Sequence, residues 1–230
     1  MKQPYIYEST QNQKLADSSK AILIMPDIYG QTDYAKQTTE ELAKEFQQPV
    51  YMLDYFFQLS GQLTNISGEQ AEQAHELMDK YTGDDFVRFF EKAATDIKQA
   101  NPKIVEFGVV GFCFAGRLAY LTVVDPAVKK IVSFYGAGAH TAGFVDGKTP
   151  IEFLLSQAHE GLQVLSFYGS QDGSIPPEDR DKTKSMLGSA NVPYQEIVVD
   201  APHAYFQPGR DNYTPPAAEE SWAVLRRFML

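Results

Sequence analysis

Short apolar runs alternate with amphipathic segments along the sequence, and this alternation restricts the possible folds more than any other feature. The apolar runs are rich in β-branched and aromatic residues, and they predict six strands over residues 21–27, 49–56, 105–112, 130–136, 163–170 and 194–200. Amphipathic patterns predict helices over 32–46, within 68–100, and over 114–124, 150–161, 177–189 and 215–229. The alternation therefore predicts an α/β fold with a mostly parallel sheet and helices on both faces.

The 230 residues contain no internal repeat or Gly/Ser-rich linker, so we expect one domain over 1–230. No apolar run is long enough to cross a membrane, and the first residues, MKQPYIYESTQNQK, lack the apolar core of a secretory signal. A formal charge of −10 argues against binding to nucleic acid or to an anionic membrane surface. A single cysteine cannot form an internal disulfide, which is consistent with the expected cytoplasmic location.

That cysteine, Cys113, falls where a predicted strand gives way to a predicted helix, in the stretch VVGFCFAGRLAY. A nucleophile on a sharp strand-to-helix turn needs small residues two positions before and two after it. Gly111 and Ala115 meet that requirement, and Gly116 would let the helix pack closely. The alternative is a buried structural thiol, since free cysteine is among the most buried residue types. The spacing alone leaves both interpretations open.

A nucleophile on such a turn needs a base and a carboxylate that orients the base. Asp172 follows one later strand in the loop of VLSFYGSQDGSIPPEDR, and His203 follows the last predicted strand in EIVVDAPHAYF. Both positions lie beyond the carboxyl ends of strands, where open α/β sheets bind ligands. The order Cys, Asp, His therefore predicts a catalytic triad of Cys113, Asp172 and His203, although an aspartate after a strand is more often a turn residue or a helix cap.

In these residues the sequence resembles the dienelactone hydrolase family of α/β hydrolases. The resemblance rests on GFCFAG, on the early PDIYGQTDYAKQTTEELA, on the central GEQAEQAHELM, on GSQD, and on the segment that begins PHAYFQPGRDNY. It implies the α/β-hydrolase fold, with Cys113 as nucleophile, His203 as base and Asp172 as the orienting carboxylate. The family's elbow has two adjacent glycines, and Ala115 stands at the first of them here.

The resemblance also assigns roles in the turn after the first predicted strand. A carboxylate there, usually glutamate, lies near the nucleophile and tunes its protonation, and the matching residue in MPDIYG is Asp27. The alternative for Asp27 is a turn or capping role beside Gly30. The backbone N–H groups of Ile28 and Phe114 match the oxyanion-hole donors.

Members that cleave dienelactone hold its carboxylate with two arginines, and neither aligned position is basic in this sequence. Ala71 stands at one position and Gln207 at the other, while His75 aligns with a central tyrosine. We therefore expect no two-arginine clamp, which argues against dienelactone itself as the substrate. The remaining candidates for substrate contacts are His75, Gln207, Tyr205 and Arg117, the last with an outward-facing or structural role as its alternative.

These features predict a hydrolase of small esters or lactones that works through a thioester on Cys113. The histidines are scattered, with no spacing typical of a metal site, and no phosphate-binding loop is present, so we expect neither a metal nor a cofactor. The expected partner is a small-molecule ester or lactone, and the protein is expected to be a monomer or a homodimer. Two other classes stay open: a binding or scaffold protein with an idle triad, and a redox sensor that uses the Cys113 thiol.

Overall fold

The computed structural model describes residues 3–230, and a seven-stranded sheet runs through its centre. The strands are β1 (Ile6–Glu8), β2 (Lys20–Met25), β3 (Val50–Leu53), β4 (Glu106–Phe112), β5 (Val128–Phe134), β6 (Gln163–Gly169) and β7 (Tyr194–Val199). Their order across the sheet is β1-β3-β2-β4-β5-β6-β7. All neighbouring pairs are parallel except β1 with β3, which confirms the predicted mostly parallel sheet.

Eight α-helices surround the sheet in the described part of the chain: α1 (Asp33–Phe46), α2 (Phe57–Ser60), α3 (Glu69–Lys80), α4 (Gly83–Ala100), α5 (Phe114–Leu118), α6 (Pro150–Gln157), α7 (Pro177–Ser189) and α8 (Pro215–Met229). The region 68–100 forms two helices because Thr82 and Asp85 make a reciprocal capping box that starts α4 anew. The helix predicted over 114–124 is α only to Leu118 and continues as a 3-10 helix over Ala119–Val124. No helix within residues 3–230 is both long enough and apolar enough to cross a bilayer.

The sheet is covered on both faces because successive side chains along a strand point to opposite sides. On β2, Ile22 and Ile24 pack into one buried cluster with residues of α1 and α8. Leu23 packs into the other, with residues of α4 and α6. Near-continuous apolar strands therefore bury both of their faces, which is the reason the sequence shows runs rather than alternation in these segments.

The chain changes direction across the sheet between β2 and β4. From β2 it continues to β3 on one side, and it then returns to place β4 on the other side of β2. The connections leaving β2 and β4 diverge at their carboxyl ends, and such a switch point opens a crevice for ligands. Met25 of β2 pairs with Gly111 of β4, so the turns that follow these two strands start side by side.

Candidate active site

Cys113 lies on a sharp turn between β4 and α5. Its backbone has φ 57° and ψ −121°, a conformation that residues with a side chain rarely adopt. A Cβ added at Gly111 would lie 2.2 Å from the Ala115 carbonyl oxygen, and one added at Gly116 would lie 2.7 Å from the Phe134 carbonyl oxygen. Only glycine fits at these two positions, whereas Ala115 is fully buried without displacing the turn. The small residues in GFCFAG therefore allow the turn that leaves Cys113 partly exposed.

The predicted triad residues meet at the carboxyl ends of β4, β6 and β7. His203 Nε2 lies 3.3 Å from Cys113 Sγ, and His203 Nδ1 lies 2.6 Å from Asp172 Oδ2. The Asp172 side chain is fully buried, while that of His203 is 28% exposed. The Tyr135 ring packs edge-on against the imidazole at 5.0 Å between centroids, and Asn212 donates to the His203 carbonyl oxygen. The imidazole is thus fixed between a thiol and a carboxylate.

The neighbours of His203 favour its protonated form. Burial by itself lowers the pKa of His203, but the hydrogen bonds to Asp172 and Cys113 and the charges of both groups raise it to about 10. Burial likewise acts to raise the pKa of Asp172, yet His203 and the Ser174 N–H outweigh burial and hold it below its usual range. An imidazolium beside the Cys113 sulfur is the arrangement that stabilises a thiolate.

The predicted oxyanion-hole residues line the same cleft as the triad. Ile28 follows β2 and Phe114 begins α5, and both border the space beside Cys113. Within residues 3–230, neither backbone N–H has a hydrogen-bond acceptor. Two such donors next to a nucleophile are suited to bind the negative oxygen that forms when a carbonyl is attacked.

Asp27 is buried and uses both carboxylate oxygens for contacts within the fold. Oδ2 lies 2.5 Å from Arg210 Nη2, and Oδ1 accepts a hydrogen bond from the Tyr29 N–H at 3.1 Å. Arg210 also packs over the Tyr29 ring at 4.5 Å from its centroid. Asp27 thereby ties the segment after His203 to the loop that carries Ile28. Its expected role in tuning Cys113 remains a prediction, because the polar contact recorded for the sulfur is with His203.

The triad opens into a cleft of about 990 Å³, a size suited to a small molecule. Two of the predicted substrate contacts, His75 and Arg117, line this cleft. His75 is an exposed residue of α3, and its Nε2 lies 3.3 Å from the Tyr29 hydroxyl. Arg117 lies one turn after Cys113, with its guanidinium over the rings of Phe114 and Phe144.

The other two predicted substrate contacts, Tyr205 and Gln207, lie outside the cleft. Tyr205 is fully buried, and its hydroxyl pairs with Ser221 Oγ of α8 at 2.7 Å. Gln207 is also buried; it accepts a hydrogen bond from Arg210 and borders a separate cavity of about 220 Å³ beside Asp27. The chain turns just after His203, where Ala204 has φ 61°, and beyond this turn Tyr205 and Gln207 do not border the cleft. The structure thus contradicts the expected substrate contacts of these two residues.

Three aromatic residues of the site were not singled out as site residues in the sequence. Tyr29 supports Arg210, Tyr135 supports His203, and Phe144 supports Arg117. The sequence could have indicated Tyr29 as a site residue, because Tyr29 adjoins the predicted oxyanion donor Ile28. Phe144 lies in the loop between β5 and α6, and nothing in the sequence indicates its role, since only the folded chain brings it to the cleft. No group of three or more potential metal-ligating side chains occurs within residues 3–230.

The strand order, the nucleophile turn and the contacts among Cys113, His203 and Asp172 define an α/β hydrolase. The sequence profile of the dienelactone hydrolase family matches residues 5–230. The chain belongs to this family, and it is a hydrolase of carboxylic esters or lactones. The resemblance seen in the sequence is therefore confirmed over nearly the whole chain.

Individual relatives agree with this assignment. A protein of Synechocystis named "Putative carboxymethylenebutenolidase" is 26% identical over 209 residues, which cover 90% of this chain and 84% of that protein. The carboxymethylenebutenolidase of Pseudomonas putida is 24% identical, over 86% of this chain and 79% of its own. The solved "Putative Dienelactone Hydrolase" of Klebsiella pneumoniae has a TM-score of 0.79 at 20% identity, covering 90% of this chain and 85% of that one. At that identity the structural likeness supports the fold.

Proposed function

We propose that the chain hydrolyses small carboxylic esters or lactones through a thioester on Cys113. The observation that carries this proposal is the bridge formed by His203, with one ring nitrogen on the Cys113 sulfur and the other on the buried Asp172 carboxylate. This bridge supplies a nucleophile, a proton carrier and an orienting charge within hydrogen-bonding distance of one another. The cleft beside it has room for a small substrate.

In the first step the Cys113 thiolate attacks the substrate carbonyl carbon, and the carbonyl π electrons move to oxygen. The backbone N–H groups of Ile28 and Phe114 bind that oxyanion. As the tetrahedral intermediate collapses, the bond to the alcohol oxygen breaks and His203 Nε2 gives its proton to the departing alkoxide. The products of this step are a thioester on Cys113 and an alcohol; for a lactone, both remain in one molecule.

In the second step the neutral His203 removes a proton from water, and the resulting hydroxide attacks the thioester carbonyl. Collapse of this intermediate breaks the carbon–sulfur bond and returns the thiolate. The imidazolium then again faces the sulfur, and Asp172 compensates its charge whenever the ring is protonated. Neither step requires a metal or a redox cofactor.

Mixing the protein with excess p-nitrophenyl acetate tests this proposal directly. We expect a burst of p-nitrophenolate equal to the enzyme concentration, an added acetyl mass on the intact protein, and a slower steady state. All three should disappear in Cys113→Ala. A burst that persists in Cys113→Ala would contradict the proposed nucleophile, and an acetyl adduct that never turns over would contradict the proposed hydrolysis.

The pH dependence should reveal the protonated state of His203. An alkyl ester such as ethyl acetate needs a proton for its leaving alkoxide, so we expect kcat/KM to fall as the pH rises through about 10, where His203 loses its proton. The fall should be weaker for p-nitrophenyl acetate, because p-nitrophenolate leaves without a proton. The measurement is a pair of pH–rate profiles between pH 6 and 10.5, corrected for spontaneous hydrolysis. A steady rise in kcat/KM for ethyl acetate across pH 8–10 would instead indicate a resting thiol beside a neutral imidazole.

A further inference from the structure

Arg117 is the charged residue of the cleft that the proposed mechanism does not use. It belongs to α5, which begins directly after Cys113, and it lies four residues beyond the nucleophile. Cys113 precedes α5 with a non-helical backbone, and Arg117 is the fourth residue of that helix. Both border the same cleft. A cation at this place can therefore contact a small substrate whose carbonyl is at Cys113.

The guanidinium is held in a fixed position by its surroundings. Its central carbon lies 4.6 Å from the ring centroid of Phe114 and 4.2 Å from that of Phe144. Nη1 donates to Thr141 Oγ1 at 3.3 Å, and Gly138 leaves room for it, since a Cβ there would approach Nη1 to 2.6 Å. Aromatic faces and one hydroxyl orient a guanidinium without neutralising its charge.

The charge of Arg117 has no acidic partner. In the described part of the chain, no carboxylate oxygen lies within 4.0 Å of this guanidinium, and its Nε is buried without a hydrogen-bond acceptor. The other arginine and the lysine that border the cleft differ: Arg210 pairs with Asp27 at 2.5 Å, and Lys80 pairs with Glu76 at 3.7 Å. A half-buried charge without a carboxylate partner is costly, which favours the binding of an incoming anion.

The guanidinium remains charged under ordinary conditions. Burial lowers the pKa of Arg117 to about 10, which still leaves it protonated at neutral pH. Two acidic residues, Asp79 and Asp211, also border the cleft, but both are exposed and are therefore screened by solvent and salt. The net charge of the chain is −10, yet at short range in a cleft the local cation dominates the field.

We propose that Arg117 is a specificity-determining residue that binds an anionic group of the substrate. This inference rests on the proposed function, because it assumes that a carbonyl is attacked at Cys113. The anion would lie against α5 and the loop between β5 and α6. Gln207 aligns with one of the two arginines of the dienelactone-cleaving members, and it lies outside the cleft.

Pairs of substrates that differ only in charge test this proposal. One pair carries the group on the acyl side, as in monomethyl glutarate and methyl glutaramate. The other carries it on the alcohol side, as in 3-carboxyphenyl acetate and 3-carbamoylphenyl acetate. We expect wild-type kcat/KM to favour the acid over the amide by about tenfold or more in at least one pair, since a charge-assisted contact replaces a neutral one. Equal values for acid and amide in both pairs would overturn the proposal without any variant being made.

Variants then assign the preference to Arg117. Arg117→Gln should abolish the acid preference, mainly through KM for the acid, while kcat/KM for the amide changes by less than about threefold. Arg117→Lys should retain part of the preference, because it keeps the charge but loses the planar fork of donors. Arg227→Gln removes the same charge from an exposed site on α8 and should leave the preference unchanged.

Two further outcomes separate this proposal from other roles. If Arg117→Gln lowers kcat/KM for acid and amide equally, the residue supports the fold or the thiolate and the proposal is wrong. If the acid preference survives in Arg117→Gln, the anion is bound elsewhere. The burst with neutral p-nitrophenyl acetate does not depend on this contact, so loss of acid preference and loss of the covalent mechanism are distinguishable.

Discussion

Replacing His203 by glutamine is expected to lower kcat for ester hydrolysis on the order of 10⁴-fold, because one residue serves both steps of the proposed cycle. The imidazole carries the proton to the alkoxide and then removes one from water. Glutamine retains hydrogen-bonding groups beside Cys113 and Asp172 but cannot exchange a proton at these pH values. The measurement is steady-state kcat together with the single-turnover rate of acylation.

Asp172→Asn and the double variant make this test sharper. The amide keeps the shape of the buried carboxylate but removes its charge, so we expect kcat to fall about 10²- to 10⁴-fold. The double variant should be no slower than His203→Gln alone, because Asp172 acts only through His203. If the two losses multiplied, Asp172 would have a separate role.

His159→Gln provides a matched control for the loss of an imidazole. His159 lies before β6, at the end of the sheet opposite the cleft, and its Nε2 contacts the Val128 carbonyl oxygen. We expect its kcat to stay within about twofold of wild type. A variant of His203 that retained more than a hundredth of the wild-type kcat, while folded by circular dichroism, would contradict the assignment of His203 as the base.

Replacing Gly111 by alanine is expected to cost about 3 kcal/mol of unfolding free energy and most of the activity. The new Cβ would lie 2.2 Å from the Ala115 carbonyl oxygen and 2.7 Å from its carbonyl carbon. Both contacts are with backbone, so the clash can be relieved only if β4 and α5 move apart. That movement displaces Cys113 from His203, and a displacement of about 1 Å at a reacting group lowers the rate roughly 10²-fold.

The backbone at Gly111 is not in the left-handed region, so this substitution tests the close approach alone. Gly188→Ala is the matched control, since it places a methyl group in open space on α7. We expect that control to keep or slightly raise stability, because alanine has the higher helix propensity. Urea unfolding and the activity of the folded fraction are the measurements. Wild-type stability in Gly111→Ala would show that the turn can relax. The close contact with Ala115 would then not be the reason for glycine at position 111.

The central part of the fold follows from the alternation of apolar runs in the sequence. All six predicted strands are present, because near-continuous apolar segments of this length must bury both faces. β1 was not predicted, since its three residues IYE carry no periodic signal and the strand depends on its antiparallel pairing with β3. The break between α3 and α4 depends on the local capping box at Thr82, and the spacing of apolar residues does not indicate this capping box.

The sequence likewise located some residues of the site correctly and others incorrectly. The order of Cys113, Asp172 and His203 along the chain was sufficient to predict that they meet, because parallel strands bring their carboxyl ends to one edge of the sheet. Gln207 was a candidate because the resemblance aligns it with an arginine of the dienelactone-cleaving members, and Tyr205 because it is an aromatic residue near the end of a predicted strand. The structure places both outside the cleft. Side-chain direction in an irregular turn depends on each backbone angle, and residue types alone do not fix those angles.

The sequence by itself thus determined the α/β sheet and the glycine-dependent turn at Cys113. It also determined that a thiol, an imidazole and a carboxylate meet at the carboxyl edge of the sheet. These follow from local sterics and from the repeating pattern of apolar residues, which act within a few positions along the chain. Only the tertiary structure decided that Asp27 pairs with Arg210 and that Arg117 borders the cleft without a carboxylate partner. Those pairings join residues from distant segments, so they depend on distances and directions that exist only after the elements have packed.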